Sequence, residues 1–100
     1  MVQLDAQIFG GVQAIDFGRQ VSEFCENGGR CLVVDLGAVR LMNSSGLGML
    51  VSAMTAMRKY GGSMRLARLP EKVSELLEMT RLDTIFDVYQ SVEEAQQACA

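Results

Sequence analysis

The chain has 100 residues, of which 49% are hydrophobic, and its nine basic and twelve acidic side chains leave a net charge of −3. This length suits one domain over residues 1–100, and the apolar content excludes an intrinsically disordered chain. The basic residues form no continuous stripe, which argues against nucleic-acid binding.

Histidine is absent, which removes the commonest general base and the commonest metal ligand. We therefore expect no catalytic residue, no metal and no cofactor, and interpret the protein as a binding module rather than an enzyme. No apolar run approaches the ~20 residues of a membrane helix, and no signal peptide is visible at the start. The expected protein is cytoplasmic, without membrane contact. Cys25, Cys31 and Cys99 lack CxxC spacing and are predicted to be reduced thiols that fill core gaps.

The first third of the chain alternates between strand-like and helix-like patterns. Alternating apolar residues predict a half-buried strand over Val2–Phe9, which Gly10-Gly11 interrupts. Apolar residues at helical spacing follow from Ala14 to Cys25, and Asn27-Gly28-Gly29 is typical of a helix end. The continuous run Cys31–Leu36 indicates a strand covered on both faces.

After a predicted loop at Arg40–Met42, the longest helix is expected to begin at Asn43-Ser44-Ser45-Gly46 and to end at Gly61-Gly62. Its core stripe follows the helical period: Leu47, Leu50, Val51, Met54 and Met57. Met64–Ala67 is predicted to be another strand, and Pro70 suits the first turn of the next helix.

Thr84–Tyr89 is predicted to be the last strand, and Ser91 with Glu94 has the capping-box spacing of a short terminal helix. Strands therefore alternate with about four helices. This order predicts an α/β domain around a small sheet, mainly parallel or mixed, with its functional loops at the C-terminal ends of the strands.

One such loop, Asn43–Gly46, carries the candidate site. Asn43 is a favoured N-cap residue, and Ser44 and Ser45 fall in the first helical turn, near the positive end of the helix dipole. Gly46 and Gly48 lack side chains and would let a partner approach the backbone closely. On local chemistry alone the segment is either a well-capped helix start or a place where a phosphate would be tolerated.

A second apolar line on the same helix contains Met49, Ala53, Ala56 and Tyr60. It is interpreted either as a partner surface or as a line that packs under a neighbouring element. The predicted partner-binding set combines this line with the loop: Asn43, Ser44, Ser45, Gly46, Leu47, Met49 and Ala53.

Four segments together resemble the STAS domain of anti-sigma factor antagonists: Leu32–Leu36, Met42–Gly48, Gly61-Gly62 and Ser91–Ala95. The resemblance runs from about Val2 to the end and implies a STAS fold with its first edge strand absent or trimmed. It implies that Ser45 (alternatively Ser44) is phosphorylated by an anti-sigma factor that is a serine kinase. The unphosphorylated form would bind that kinase, and a phosphatase would reset the switch.

Two positions depart from the family pattern. The acidic residue that precedes the serines in the family is Asn43 here, and a second acidic residue is replaced around Phe9-Gly10-Gly11. These departures favour an alternative function, a STAS scaffold that is never phosphorylated. Such a scaffold would serve another signalling or transport complex, or would self-associate as a homodimer.

Overall fold

The computed structural model describes residues 2–4 and 7–99. The elements follow one another along the chain as β1 (Val2–Gln3), β2 (Gln7–Ile8), α1 (Val12–Glu26), β3 (Cys31–Asp35), β4 (Leu41–Met42), α2 (Ser44–Lys59), β5 (Ser63–Ala67), α3 (Glu71–Met79), β6 (Asp87–Tyr89) and α4 (Val92–Ala98). Among these described elements, no helix is both long and apolar enough to cross a bilayer.

The main sheet has four strands in the order β1-β3-β5-β6, and every neighbouring pair is parallel. A parallel strand needs a crossover to return to the same end of the sheet, and α2 and α3 supply the crossovers from β3 to β5 and from β5 to β6. The predicted α/β architecture with four helices and a mainly parallel sheet is confirmed.

The helices divide unequally between the two faces of this sheet. Alternate side chains of β3 and β5, such as Leu32 and Leu66, enter the main core with apolar residues from α1, α2 and α3. The opposite face is covered by α4, whose fully buried Ala95 packs against Val33 and Ala67. The sheet is therefore covered on both sides, as the continuous apolar run in β3 predicted.

The prediction of a single strand over Val2–Phe9 is wrong. β1 pairs with β3 of the main sheet, whereas β2 pairs with β4 in a separate two-stranded sheet. Residues 5 and 6 of that predicted strand lie outside the described residues. The predicted loop at Arg40–Met42 is also corrected, because Leu41 and Met42 form β4, the partner of β2.

Two smaller boundaries differ as well. Pro70 is the N-cap of α3 instead of a residue within its first turn. The last strand is shorter than predicted, because residues 83–85 form a turn, with the Ile85 N–H donating to the Leu82 carbonyl at 3.2 Å, and β6 begins only at Asp87.

The prediction of three reduced thiols is contradicted. Cys31, the first residue of β3, and Cys99, the C-cap of α4, form a disulfide between Cα atoms 5.8 Å apart. The two residues are 68 positions apart in the chain, and the packing of α4 on the sheet brings them together. Cys25 is free and buried, as the core-filling interpretation expects.

Candidate functional site

Asn43 fixes the start of α2. Its backbone is extended, and its side-chain Oδ1 accepts a hydrogen bond from the Gly46 N–H at 2.8 Å. The Leu47 N–H donates to the Asn43 carbonyl at 2.9 Å, which is the first bond of the helix ladder. This is the N-cap geometry predicted from the sequence, and it leaves the Asn43 oxygen engaged in holding the helix start.

Ser44 and Ser45 are the first two residues of α2, and both are exposed. The helix contains no acidic residue in its first turn and no charged residue at all before Arg58. The two hydroxyls therefore stand at the positive end of the helix dipole, on a stretch of α2 that carries no charged side chain.

The loop before α1 lies directly against Ser45. Gly10 has a φ of +82°, and a Cβ added to it would stand 3.1 Å from the Ser45 Cβ. The next residue, Gly11, is the N-cap of α1. A side chain at Gly10 would be strained by the backbone and crowded by Ser45, so glycine lets the starts of α1 and α2 lie side by side.

Gly46 faces the interior of the site. A Cβ at this position would collide with the carbonyl oxygen of Ile8, the last residue of β2. The Asn43 N–H donates to the same Ile8 carbonyl at 3.3 Å. Glycine is thus required for the close approach of α2 to β2, and Gly46 is buried.

The predicted partner-binding residues separate into two groups. Asn43, Ser44 and Ser45 are exposed, whereas four other residues are buried: Gly46, Leu47 (2% exposed), Met49 (6%) and Ala53 (4%). Leu47, Met49 and Ala53 pack in the main core, and Met49 and Ala53 also line an open groove between α1 and α2, so their contact with a partner stays a prediction. Of the second apolar line on α2, Met49 and Ala53 pack against the core, whereas Tyr60 is 42% exposed, so both interpretations of the line stay open.

Three exposed apolar side chains near the loop were missed by the sequence analysis. Phe9 precedes Gly10 and is 45% exposed, Val12 begins α1 and is 72% exposed, and Leu41 in β4 is 47% exposed. The alternation of apolar residues in the sequence could not reveal them, because the exposure of a side chain depends on which strand or helix its residue joins. We call Phe9, Val12, Leu41, Ser44 and Ser45 the switch face.

A groove between α1 and α2 extends from the switch face, with a volume of about 380 Å³. Ser45 and Gly48 line it from α2, and Ala14 and Gly18 line it from α1. None of its lining residues is charged.

A buried carboxylate supports the chain that leads into the site. Asp35 ends β3 and is 5% exposed; its Oδ1 accepts hydrogen bonds from the Gly37 N–H at 2.9 Å and from Arg68 Nε at 2.8 Å. Burial acts to raise the pKa of Asp35, but the Gly37 N–H bond together with the hydrogen bond and charge of Arg68 outweighs it. The pKa of Asp35 is therefore held below its usual range.

Arg68 also explains why the residue at position 37, just after β3, is glycine. Its guanidinium lies where a side chain on Gly37 would otherwise extend, and the Arg68 backbone has a φ of +58°. Asp35, Gly37 and Arg68 thus bind the segment after β3 to the end of β5, and that segment continues into β4 and Asn43. The sequence analysis did not identify this arrangement, since Asp35 and Arg68 are 33 residues apart.

Comparison with known proteins gives a consistent family signal. A family model described as the STAS domain matches residues 1–95. The anti-sigma-B factor antagonist of Bacillus subtilis (strain 168) is 37% identical over 60 residues, which is 60% of this chain and 55% of the relative. This chain matches 55–66% of the length of that protein and of two candidate anti-sigma factor antagonists from Thermotoga species.

Solved structures show the same fold. A crystal structure of a candidate anti-sigma factor antagonist from Thermotoga maritima is 28% identical with a TM-score of 0.77, covering 96% of this chain and 83% of that one. The Bacillus cell fate determinant SpoIIAA in its phosphorylated form is 14% identical with a TM-score of 0.74, covering 98% of this chain and 87% of that one. At that identity the likeness shows the fold alone.

Proposed function

The chain belongs to the STAS domain family, and from this premise we propose that it binds an anti-sigma factor or a related serine kinase through the switch face, with Ser45 as a phosphorylation switch. The observation that carries the proposal is the position of Ser45. It is an exposed hydroxyl at the start of α2, on a surface that combines apolar side chains with no charge on the first fourteen residues of the helix.

The surroundings of Ser45 would tolerate a phosphate within the domain. The starts of α1 and α2 lie side by side there, and neither helix has an acidic residue in its first turn. Phosphorylation adds about 1.5–2 negative charges at neutral pH, and unpaired N–H groups at helix starts favour such charge. Modification would therefore leave the fold intact.

The same phosphate would act against a partner. Phe9, Val12 and Leu41 present apolar surface, and a partner that covers them would also cover Ser45. Inserting a hydrated dianion into that contact forces its desolvation, and a loss of only ~3 kcal/mol weakens binding about a hundredfold. The domain would thus be switched at its surface without a change of shape.

The relatives support this class of partner. An anti-sigma-B factor antagonist and a phosphorylated SpoIIAA are among the proteins that this chain is similar to in sequence and in fold, respectively. By extension, the unphosphorylated form would bind an anti-sigma factor in the cytoplasm, the bound kinase would modify Ser45, and a phosphatase would reverse the modification. Ser44 is the alternative acceptor, since it is exposed in the same turn.

A specific observation favours a second function, an unphosphorylated scaffold. Asn43 stands where the family has an acidic residue, and its oxygen is already used to cap Gly46. No carboxylate is supplied from Gly10-Gly11 on the other side of Ser45. In the scaffold function the domain would bind its partner constantly, and the state of Ser45 would not matter.

Affinity measurements with matched variants distinguish the two functions. The full chain and its Ser45→Asp, Ser45→Ala and Ser44→Asp variants would be titrated with a purified anti-sigma kinase from the source organism. We expect Ser45→Asp to weaken binding about a hundredfold or more, and Ser45→Ala to bind like the natural protein. Ser44→Asp places the same charge one residue away on the switch face and tests the alternative acceptor.

Equal binding by Ser45→Asp and the natural protein would refute the switch and support the scaffold. A loss for Ser44→Asp with none for Ser45→Asp would move the acceptor to Ser44. Absence of binding for every form, with all of them folded, would contradict this class of partner.

A further inference from the structure

The helix α4 packs on β3, β5 and β6 through a small apolar cluster. It covers Val33 and Ala67 on the second face of the sheet, and Ala95 is its single fully buried residue within the described part of the chain. Val92 and Cys99 are half-buried against the same small cluster. The main core, in contrast, joins three helices to the other face.

The helix is also too short to persist by itself. It has seven residues, whereas isolated helices shorter than about 12–15 residues are marginal in water. Ser91 helps by accepting a hydrogen bond from the Glu94 N–H at 3.1 Å. One cap and a small apolar cluster around one fully buried alanine hold α4 by noncovalent contacts, and the covalent bond at Cys99 adds to this attachment.

We propose that Cys31–Cys99 is a reversible redox site that fastens α4 over the second face of the sheet, so that reduction releases the helix and uncovers Val33 and Ala67. The bond joins the first residue of β3 to the C-cap of α4. It therefore closes the end of the helix onto a strand in the centre of the sheet.

Exposure separates this pair from the third cysteine. Cys31 and Cys99 are both half-buried, and a reductant can approach them from the surface. Cys25 is 2% exposed, and its Sγ lies 3.4 Å from the Met57 Sδ inside the main core. Buried thiols of that kind are inert, so we expect redox chemistry at the first pair and none at Cys25.

The proposed reduction is thiol–disulfide exchange with a dithiol. One thiolate of the dithiol attacks a sulfur of the Cys31–Cys99 bond, which breaks as a mixed disulfide forms and the other cysteine leaves as a thiolate. The second thiol of the dithiol displaces the remaining cysteine. Two electrons and two protons pass to Cys31 and Cys99, and the dithiol becomes a disulfide. Oxidised glutathione is a disulfide, like the oxidised form of the dithiol, and it re-forms the Cys31–Cys99 bond by the same exchange in the opposite direction.

The redox site and the switch face lie at different ends of the fold. Cys31 begins β3, whereas Ser45 follows the loop and strand beyond the C-terminal end of β3. Release of α4 should therefore expose the second face of the sheet and leave the start of α2 unchanged. The inference does not depend on phosphorylation at Ser45.

The test compares the oxidised and the reduced full chain. After treatment with oxidised glutathione, the unfolded protein should show one reactive thiol, Cys25, and after dithiothreitol it should show three. On reduction we expect amide exchange in residues 92–98 to accelerate about tenfold or more, because α4 opens locally, and the Tm to fall by about 10 °C. The amides of α2 open only with the whole domain, so after reduction they should still exchange at least about tenfold more slowly than those of α4.

Two variants provide controls. Cys25→Ala should keep the full response to dithiothreitol, and the double variant Cys31→Ser with Cys99→Ser should behave like the reduced protein under both conditions. Three reactive thiols after oxidation would overturn the proposal, as would a bond that dithiothreitol cannot reduce in the folded protein. Unchanged exchange in residues 92–98 after reduction would also overturn it. The comparison within the natural chain decides the matter even if the double variant does not fold.

Discussion

Gly46 and Gly48 are two residues apart in α2 but have opposite surroundings. A Cβ at Gly46 would collide with the Ile8 carbonyl, whereas a Cβ at Gly48 would meet nothing within 4 Å. We expect Gly46→Ala to lower the free energy of unfolding by about 2 kcal/mol or more, because backbone must move to admit the methyl group. Gly48→Ala should raise it by about 0.5–1 kcal/mol, since alanine is the better helix former.

Urea denaturation of the two variants beside the natural protein measures both changes. Equal stability of Gly46→Ala and Gly48→Ala would contradict the close contact between α2 and β2 on which the geometry of the switch face depends.

Asp35 gives a prediction with a defined pH dependence. Its pKa is lowered in the folded state, so its stabilising contribution is fully present above the unfolded-state pKa of about 3.9 and is lost as the pH falls through the lower, folded-state pKa. Asp35→Asn should therefore cost about 1–2 kcal/mol of unfolding free energy at pH 7 and progressively less below about pH 4.

Asp16→Asn is the matched control, because Asp16 is exposed and its pair with Arg19 is 3.5 Å long. Surface pairs of this kind contribute little, so this variant should change stability by less than about 0.5 kcal/mol at any pH. A pH-independent loss for Asp35→Asn would show that its charge is not the source of the stabilisation. Chemical denaturation between pH 3 and pH 7 provides the comparison.

At the scale of the element, the start of α2 depends on Asn43. Asn43→Ala removes the acceptor for the Gly46 N–H and should cost about 1 kcal/mol of unfolding free energy. Asn43→Asp keeps an acceptor and adds charge at the positive end of the helix dipole, so its stability should be within about 0.5 kcal/mol of the natural protein or higher.

Thermal denaturation of both Asn43 variants tests the cap. If Asn43→Asp destabilised the domain as much as Asn43→Ala, the hydrogen bond to Gly46 would not be the source of the helix stability.

Elements with a strong local signal were predicted well from the sequence. The helix that begins after Asn43 and the apolar strand β3 have clear periodicity and punctuation, and the structure contains both. The prediction of one strand over Val2–Phe9 failed. The alternation of its apolar residues is consistent with one strand, whereas β1 and β2 pair with strands of different sheets. Strand pairing is decided by contacts distant in sequence, which local patterns do not encode.

In the candidate site, too, the features with a local signal in the sequence were predicted, and those set by contacts between distant residues were not. Cap chemistry located Asn43, Ser44 and Ser45 at an exposed helix start. The period of α2 did not show that Met49 and Ala53 face the core, because α1 packs beside α2 and covers a second side of it. The Cys31–Cys99 bond and the Asp35–Arg68 pair each join positions brought together by the completed sheet, so neither has a signature in the sequence.

At the scale of the whole molecule, the account predicts a switch that acts without refolding. Ser45→Asp adds a charge at an exposed helix start, where the dipole favours it. Its Tm should lie between that of the natural protein and a value about 4 °C higher, with an unchanged circular dichroism spectrum. A Tm several degrees lower, or loss of helical signal, would contradict a switch confined to the surface.

The most direct test of the central claim is the intact mass of the protein isolated from its own cells, with fragmentation across residues 41–59. The account predicts a fraction of molecules heavier by one phosphate, with the added mass localised to Ser45 and absent from the Ser45→Ala variant. Absence of phosphate under every growth condition, or its presence only outside the switch face, would contradict the account.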